Sequence, residues 1–366
     1  MSYDPNYFPN GGSGSVNVSS TGRPVPPGVY PPLPAQAYAH SGSSGVGKII
    51  LIIILFLMLV FSALFNFLFL VILVAESGSN QKPNHVKETY YSGESVCEDK
   101  IAIIHIDGVI EEGEDYKDFI DKAANDDSVK AVVLRVNSPG GTVTGSDYIL
   151  HRLETLRKKK PIIVSMGALA ASGGYYVSMG VGDLENSIYA EPSTWTGSIG
   201  VIISRYDASQ LFMTKLGVKN DAIKSGEMKG MGSMLEPLTE DQRKILQDLV
   251  DDSFIRFKEI IQGGRVRFEE NPAELDKLAT GQVYSSNQAL ELGLIDKIGF
   301  LDDAIERAKQ VAGLESALVV EYGEIETLSD ILFAAQSGST PADMMADMKK
   351  ILSLSATPKA YYLWTL

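Results

Sequence analysis

Lys130-Ala131-Val132-Val133-Leu134-Arg135-Val136-Asn137-Ser138-Pro139-Gly140-Gly141-Thr142 decides the fold. Its first half is an almost unbroken apolar run rich in valine, the pattern of a strand buried on both faces. Proline and paired glycines follow, which read as a tight loop. Helical spacing resumes over 145–158. The same alternation repeats outward. Residues 101–107, 161–166 and 199–204 read as further strands, and 116–124 and a segment opening at Ser172 as helices. Strand–helix alternation of this kind means βαβ units and a largely parallel sheet, an α/β fold. Function in such sheets gathers just past the C-terminal ends of the strands.

The rest of the chain brackets this unit. Residues 1–47 are rich in Gly, Ser, Pro and Tyr with hardly any charge. They cannot bury enough apolar surface to offset their ordering entropy, so a disordered tail is expected. Tyr30-Pro31-Pro32-Leu33-Pro34 has the form of a polyproline ligand, although a plain flexible tail is the favoured account. Residues 49–75 are apolar apart from Ser62 and Asn66. Roughly 20 apolar residues span a bilayer, whereas a signal-peptide core has about 7–15. A retained transmembrane anchor over 48–75 is therefore expected. Lys48 and Arg23 precede it and Glu76 follows, which puts the N-terminus in the cytoplasm and the rest outside. Residues 76–99 read as a polar linker, 100–312 as one catalytic domain without internal repeat, and 313–366 as a C-terminal extension. Within the extension, 330–335 and 342–352 look helical, and Tyr361-Tyr362-Leu363-Trp364 forms an apolar tail. The long amphipathic stretch 239–262 reads as a helix with Thr239 as N-cap and Gly263-Gly264 at its end. Short helices follow over 287–292 and 301–311.

With 366 residues, 45% of them hydrophobic, the chain can build a sizeable core. Its net charge of -14 argues against nucleic-acid partners, which require a basic stripe. Cys97 is the single cysteine, so there is neither an intrachain disulfide nor a cysteine zinc site.

Three segments carry chemistry. The Gly140-Gly141 pair lets backbone N–H groups approach a ligand closely, as half of an oxyanion hole must; an ordinary loop has the same sequence. Next, Ala170-Ala171-Ser172-Gly173-Gly174-Tyr175-Tyr176 crowds Ser172 with small residues at a strand-to-helix turn. There the N–H of Gly173 would face a developing negative charge at a helix N-terminus; Ser172 could equally be a mere N-cap. A serine nucleophile needs a base. His40, His85, His105 and His151 all precede Ser172, the first two in the tail and linker, the others on a strand and a crossover helix. The third segment, Lys224-Ser225-Gly226-Glu227-Met228-Lys229, offers a lysine. Only a desolvated, neutral amine can act as a base, and Lys229 sits among Gly226, Met228, Gly230, Met231 and Gly232, a weakly polar setting.

Taken in order, Ser138-Pro139-Gly140-Gly141, Ala170–Tyr176 as quoted, Thr196-Gly197-Ser198-Ile199-Gly200-Val201 and Lys224-Ser225-Gly226-x-x-Lys229 resemble the signal peptide peptidase A family in its short, one-repeat form. The resemblance runs over about residues 100–309 and includes Gly281-Gln282-Val283-Tyr284, where the family often has Arg at position 282. It implies a ClpP/crotonase-like fold of repeated ββα units and a serine-type endopeptidase with no metal or cofactor. It further implies Ser172 as nucleophile, Lys229 as general base, and an oxyanion hole drawing on Gly173, Gly140 and Gly141. A lysine-orienting role for Ser198 is a further expectation. The implied substrates are peptides, remnant signal peptides among them. The implied assembly is a homo-octameric ring in which Ser and Lys of one site come from adjacent subunits. Three alternatives stand beside this reading: a Ser–His–Asp peptidase, disfavoured because no histidine follows Ser172; a CoA-dependent hydratase-like enzyme, disfavoured by the anchor; and an inactive membrane scaffold, disfavoured by Ser172 and Lys229 both being present.

Overall fold

The structure, a computed structural model, describes residues 45–77, 86–324 and 360–363. The helices expected over 330–335 and 342–352 and the tail before residue 45 lie outside the described residues. The chain divides into two units, Met1–Ser79 and Asn80–Leu366.

The first unit holds helix α1, Gly45–Ser77. Its stretch Gly47–Phe67 has 21 residues and a mean hydropathy of 3.0, with none of it buried in protein. At 1.5 Å per residue this stretch rises about 30 Å, the thickness of a hydrocarbon core. The helix is thus long and apolar enough to cross a membrane.

In the second unit the strands are β1 (Val86–Gly93), β2 (Lys100–Ile110), β3 (Val129–Thr142), β4 (Ile162–Ala171), β5 (Ile188–Ala190), β6 (Trp195–Gly197), β7 (Val283–Ser285), β8 (Lys297–Ile298), β9 (Leu318–Glu324) and β10 (Tyr361–Leu363). The helices are α2 (Lys117–Asn125), α3 (Val143–Arg157), α4 (Gly173–Ser178), α5 (Glu240–Gly264), α6 (Val266–Glu270), α7 (Pro272–Leu278), α8 (Ser286–Glu291) and α9 (Leu301–Ala312). One sheet runs β1-β9-β2-β3-β4-β5-β8, with β6 on the end of β4, β7 on β6 and β10 on β3. The β2-β3-β4-β5 pairs are parallel, with α2 and α3 as crossovers, as the alternation predicts.

The two-residue period of the strands divides the core. Ala102, Ile104, Ile106, Val132, Leu134 and Val136 face one way, against Ile120 of α2, Ile149 and Leu153 of α3 and Phe257 of α5. Ile101, Ile103, Ala131, Val133 and Ile163 face the other way, against Ala304, Ile305 and Ala308 of α9. Both faces of the central strands are covered, which is why their sequences read as continuous apolar runs. Helix α5 starts where expected: Thr239 and Gln242 form a reciprocal capping box.

Three expectations need correction. Residues 86–93, read as linker, form β1, which pairs antiparallel with β9 from the stretch assigned to the extension. Polar residues suffice at this edge because only Val86 of β1 is buried. The strand expected over 199–204 is reduced to a single bridge, Ile202 with Tyr361. Finally, Gly140-Gly141 is not a loop: β3 continues through Thr142, and Asn137–Thr142 extends the sheet with a register shift at Val136/Ser138.

Candidate active site

The ends of β3, β4 and β6 converge. Ala171 at the end of β4 pairs with Gly197 at the end of β6, and the next residues, Ser172 and Ser198, both take left-handed backbone conformations, φ 54° and 51°. A non-glycine residue there is strained, and such strain persists only where the surroundings over-determine it. At Ser172 they do: its N–H donates to the Gly197 carbonyl at 2.8 Å and its carbonyl accepts from Tyr176 N at 2.8 Å. Although Ser172 occupies the N-cap position of α4, its side chain makes no capping hydrogen bond. Ser172 is only 1% exposed, and its hydroxyl forms no hydrogen bond among the described residues. A strained strand-to-helix turn with a hydroxyl kept free is the geometry of a nucleophile elbow; an N-cap residue would spend its oxygen on the helix.

Gly173, Gly140 and Gly141 lie against one another. A Cβ on Gly173 would stand 2.6 Å from Ser146 Oγ, 3.0 Å from Gly140 Cα and 3.1 Å from Gly141 N. A Cβ on Gly140, where φ is +94°, would collide with the Tyr362 carbonyl and stand 2.5 Å from Gly173 N. The Gly173 amide, first in α4, has no intrahelical acceptor. The Gly140 amide is engaged, donating to Ser138 Oγ at 3.0 Å, while Ser138 Oγ donates to the Gly108 carbonyl at 2.6 Å. In this structure Gly140 therefore supplies close approach while its amide is engaged. Ser138, which the sequence reading passed over, shapes this turn.

Strand β10 occupies the edge beside these groups. Tyr361, Tyr362 and Leu363 pair antiparallel with Thr142, Gly141 and Gly140, and Tyr361 exchanges hydrogen bonds of 2.9 and 3.0 Å with Ile202 on its other side. The Tyr362 ring is fully buried, stacked on Tyr176 at 4.8 Å and tilted on Phe257 at 4.6 Å. Its hydroxyl donates to the Ser253 carbonyl at 2.8 Å. Burial pushes the Tyr176 and Tyr362 phenols well above their ordinary value, so both rings stay neutral. Beyond Leu363 lies a cavity of about 530 Å³ lined by Ser198, Ile199, Phe254, Thr280 and Gly281.

Lys229 stands apart. It lies on an irregular stretch between Leu216 and α5, is exposed, and its side chain forms no hydrogen bond or ion pair among the described residues. Its amide donates to the Gly226 carbonyl at 3.0 Å. The weakly polar neighbours do not enclose the amine within one chain. In the chain before it, Leu211, Met213, Leu216, Val218 and Ile223 are exposed, Ile223 completely. Of the described histidines, His151 is exposed on α3. His105 pairs with Glu321 at 2.5 Å and with Asp107. Neither hydrogen-bonds Ser172.

The model of peptidase family S49 matches residues 154–315. A protein of Enterococcus faecium that carries the name signal peptide peptidase SppA is 33% identical over 332 residues, covering 81% of this chain and 94% of its own length. The chain belongs to this family. This S49 chain is also 35% identical over 261 residues to Protease 4 of Haemophilus influenzae, 69% of this chain but 40% of that one. It is 33% identical over 209 residues to the chloroplastic serine protease SPPA of Arabidopsis thaliana, 56% of this chain and 30% of that one. The chain thus spans less than half the length of these two relatives. Family membership brings with it a ClpP-like fold, in agreement with the α/β sheet and with the expectation from the ordered motifs.

Proposed function

We propose that this S49 peptidase is a membrane-anchored serine endopeptidase in which Ser172 is the nucleophile and Lys229 the general base. The observation that carries the reading is the Ser172 backbone, strained at φ 54° while its hydroxyl is left unbonded in a crowded turn. The neutral Lys229 amine takes the Ser172 proton. The Ser172 oxygen attacks a peptide carbonyl, and the Gly173 amide, with Gly141 beside it, holds the oxyanion. Collapse expels the amine half of the substrate and leaves an ester on Ser172, which water hydrolyses. Ser198 stands beside Ser172 across the β4–β6 pairing and orients the lysine.

Peptide substrates bind along the edge of β3 as an added antiparallel strand. The pairing of β10 with Gly140–Thr142 supports this mode, since it demonstrates that the edge accepts an extended backbone. The Tyr176–Phe257 pocket, filled by Tyr362, favours apolar and aromatic side chains, which suits remnant signal peptides.

Exposure of Lys229 favours a site completed between chains. A solvated lysine is protonated and cannot serve as base, so a neighbouring surface must desolvate it. The exposed apolar side chains of 211–228 give that neighbour a surface to cover. A closed ring, an octamer in the family's short form, would bring the Lys229 segment of one chain to Ser172 of the next. With α1 in the membrane and Lys48 on its N-terminal side, the catalytic domain lies outside the cytoplasm.

The test is hydrolysis of an apolar fluorogenic peptide by Ser172→Ala and Lys229→Ala in the full chain. Both should lose turnover, and near wild-type turnover in either one would refute the dyad.

A further inference from the structure

Lys229 is carried by residues 217–238, which contain neither helix nor strand. An irregular stretch of this length cannot present one amine at a fixed place unless its ends and turns are tied. The ties converge on Glu236, three residues before the Thr239 cap of α5. Its carboxylate accepts from Lys224 Nζ through both oxygens, at 2.6 Å on Oε1, and from Asn220 Nδ2 at 2.7 Å. Its main-chain carbonyl accepts from Arg205 Nη2, which also donates to the Ser233 carbonyl at 2.7 Å. Gly230, the residue after Lys229, turns at φ +108° against this pair: a Cβ there would stand 3.1 Å from Lys224 Nζ and 3.7 Å from Glu236 Oε2. A second tie runs from α5 itself, where Gln242 Nε2 donates to the Glu227 carbonyl at 3.2 Å.

We infer that Glu236 is a positioning residue for the Lys229 base: by clamping Lys224 and Asn220 it closes the turn 224–230 and fixes where the Lys229 amine is presented. The inference rests on the reading of Lys229 as base. Lys224 acts here as the clamp's cation and not as a second base, because its amine is taken up by both Glu236 oxygens. The Lys224 and Glu236 side chains are 23% and 30% exposed, so Glu236 can be replaced without opening the core.

The experiment compares Glu236→Ala, Glu236→Gln, the exchanged pair Lys224→Glu with Glu236→Lys, and Lys229→Ala, all in the full chain in detergent, on the same fluorogenic peptide. Displacing a catalytic group by about 1 Å costs on the order of 100-fold. Glu236→Ala should therefore lower kcat about 10–100-fold, with KM changed less than about twofold because the β3 edge is untouched. The exchanged pair should recover most of that loss. The acid limb of the pH–rate profile should stay in place, since Glu236 transfers no proton. Wild-type kcat in Glu236→Ala, no recovery in the exchanged pair, or a moved acid limb in Glu236→Gln would each overturn the inference. Activity in Lys229→Ala would instead refute the base assignment itself, so the two failures are distinguishable.

Discussion

Gly140→Ala is the sharpest single perturbation of the site. It acts in two ways that can be separated. The backbone at Gly140 has φ +94°, where a side chain costs of order 1–3 kcal/mol in strain. In addition, the new methyl would stand 2.5 Å from Gly173 N and overlap the carbonyl that β10 brings there. It would stand where a substrate carbonyl must meet the Gly173 amide. Losing one oxyanion donor costs about 100–1,000-fold in kcat, or about 2.7–4 kcal/mol. Gly108→Ala is the control: φ is +69°, but no atom lies within 4 Å of the added Cβ, so it carries strain alone, about 1–2 kcal/mol. Thermal unfolding and peptide hydrolysis are measured on both variants. Both should unfold at a lower temperature, and only Gly140→Ala should lose about 100-fold or more in kcat. A Gly140→Ala enzyme with the kcat of Gly108→Ala would refute the placement of the oxyanion at the Gly173 amide.

Three other perturbations have defined outcomes. Ser198→Ala should lower kcat about tenfold or more through a misplaced base while leaving KM near the wild-type value in the same assay. Removal of residues 360–366 frees the β3 edge at Gly140–Thr142; labelling of Ser172 by a fluorophosphonate should become faster, and unchanged labelling would show that substrates do not use that edge. Glu88 is partly desolvated, but hydrogen bonds from Lys100 and Lys122 outweigh this and hold its carboxyl below its ordinary 4.5. A folded-state value below the unfolded one contributes stability that is present above about 4.5 and lost as the pH falls through the folded value. Glu88→Gln should therefore lower Tm at pH 7 and converge on wild type as the pH falls below the folded-state value of Glu88, as followed by circular dichroism.

The central strands were legible because both of their faces are buried, which leaves apolar runs such as Val132–Leu134 no other reading. The α5 cap was legible because a capping box is local chemistry, with Thr239 and Gln242 three residues apart. What failed was non-local. β1 is a polar edge strand stabilised by pairing with β9 more than two hundred residues away, and nothing within residues 86–93 announces that partner. Gly140-Gly141 reads as a loop from composition, yet it continues β3 because Ile110 and Tyr362 supply neighbours on both sides. At the site, the small residues around Ser172 correctly signalled a tight turn. The glycines and methionines around Lys229 signalled weak polarity but not burial, and among the described residues that amine stays exposed. Glu236 could have been suspected only from its position before an N-cap, downstream of Lys224 and Lys229.

Sharing of the site between chains is tested most directly by co-expressing the Ser172→Ala and Lys229→Ala chains in equal amounts and measuring turnover of the purified assembly. Each variant alone should be inactive. In mixed rings an intact Ser172 meets an intact Lys229 from its neighbour at one site in four, so the account predicts about a quarter of wild-type activity. Mixed assemblies as inactive as their parents would contradict it.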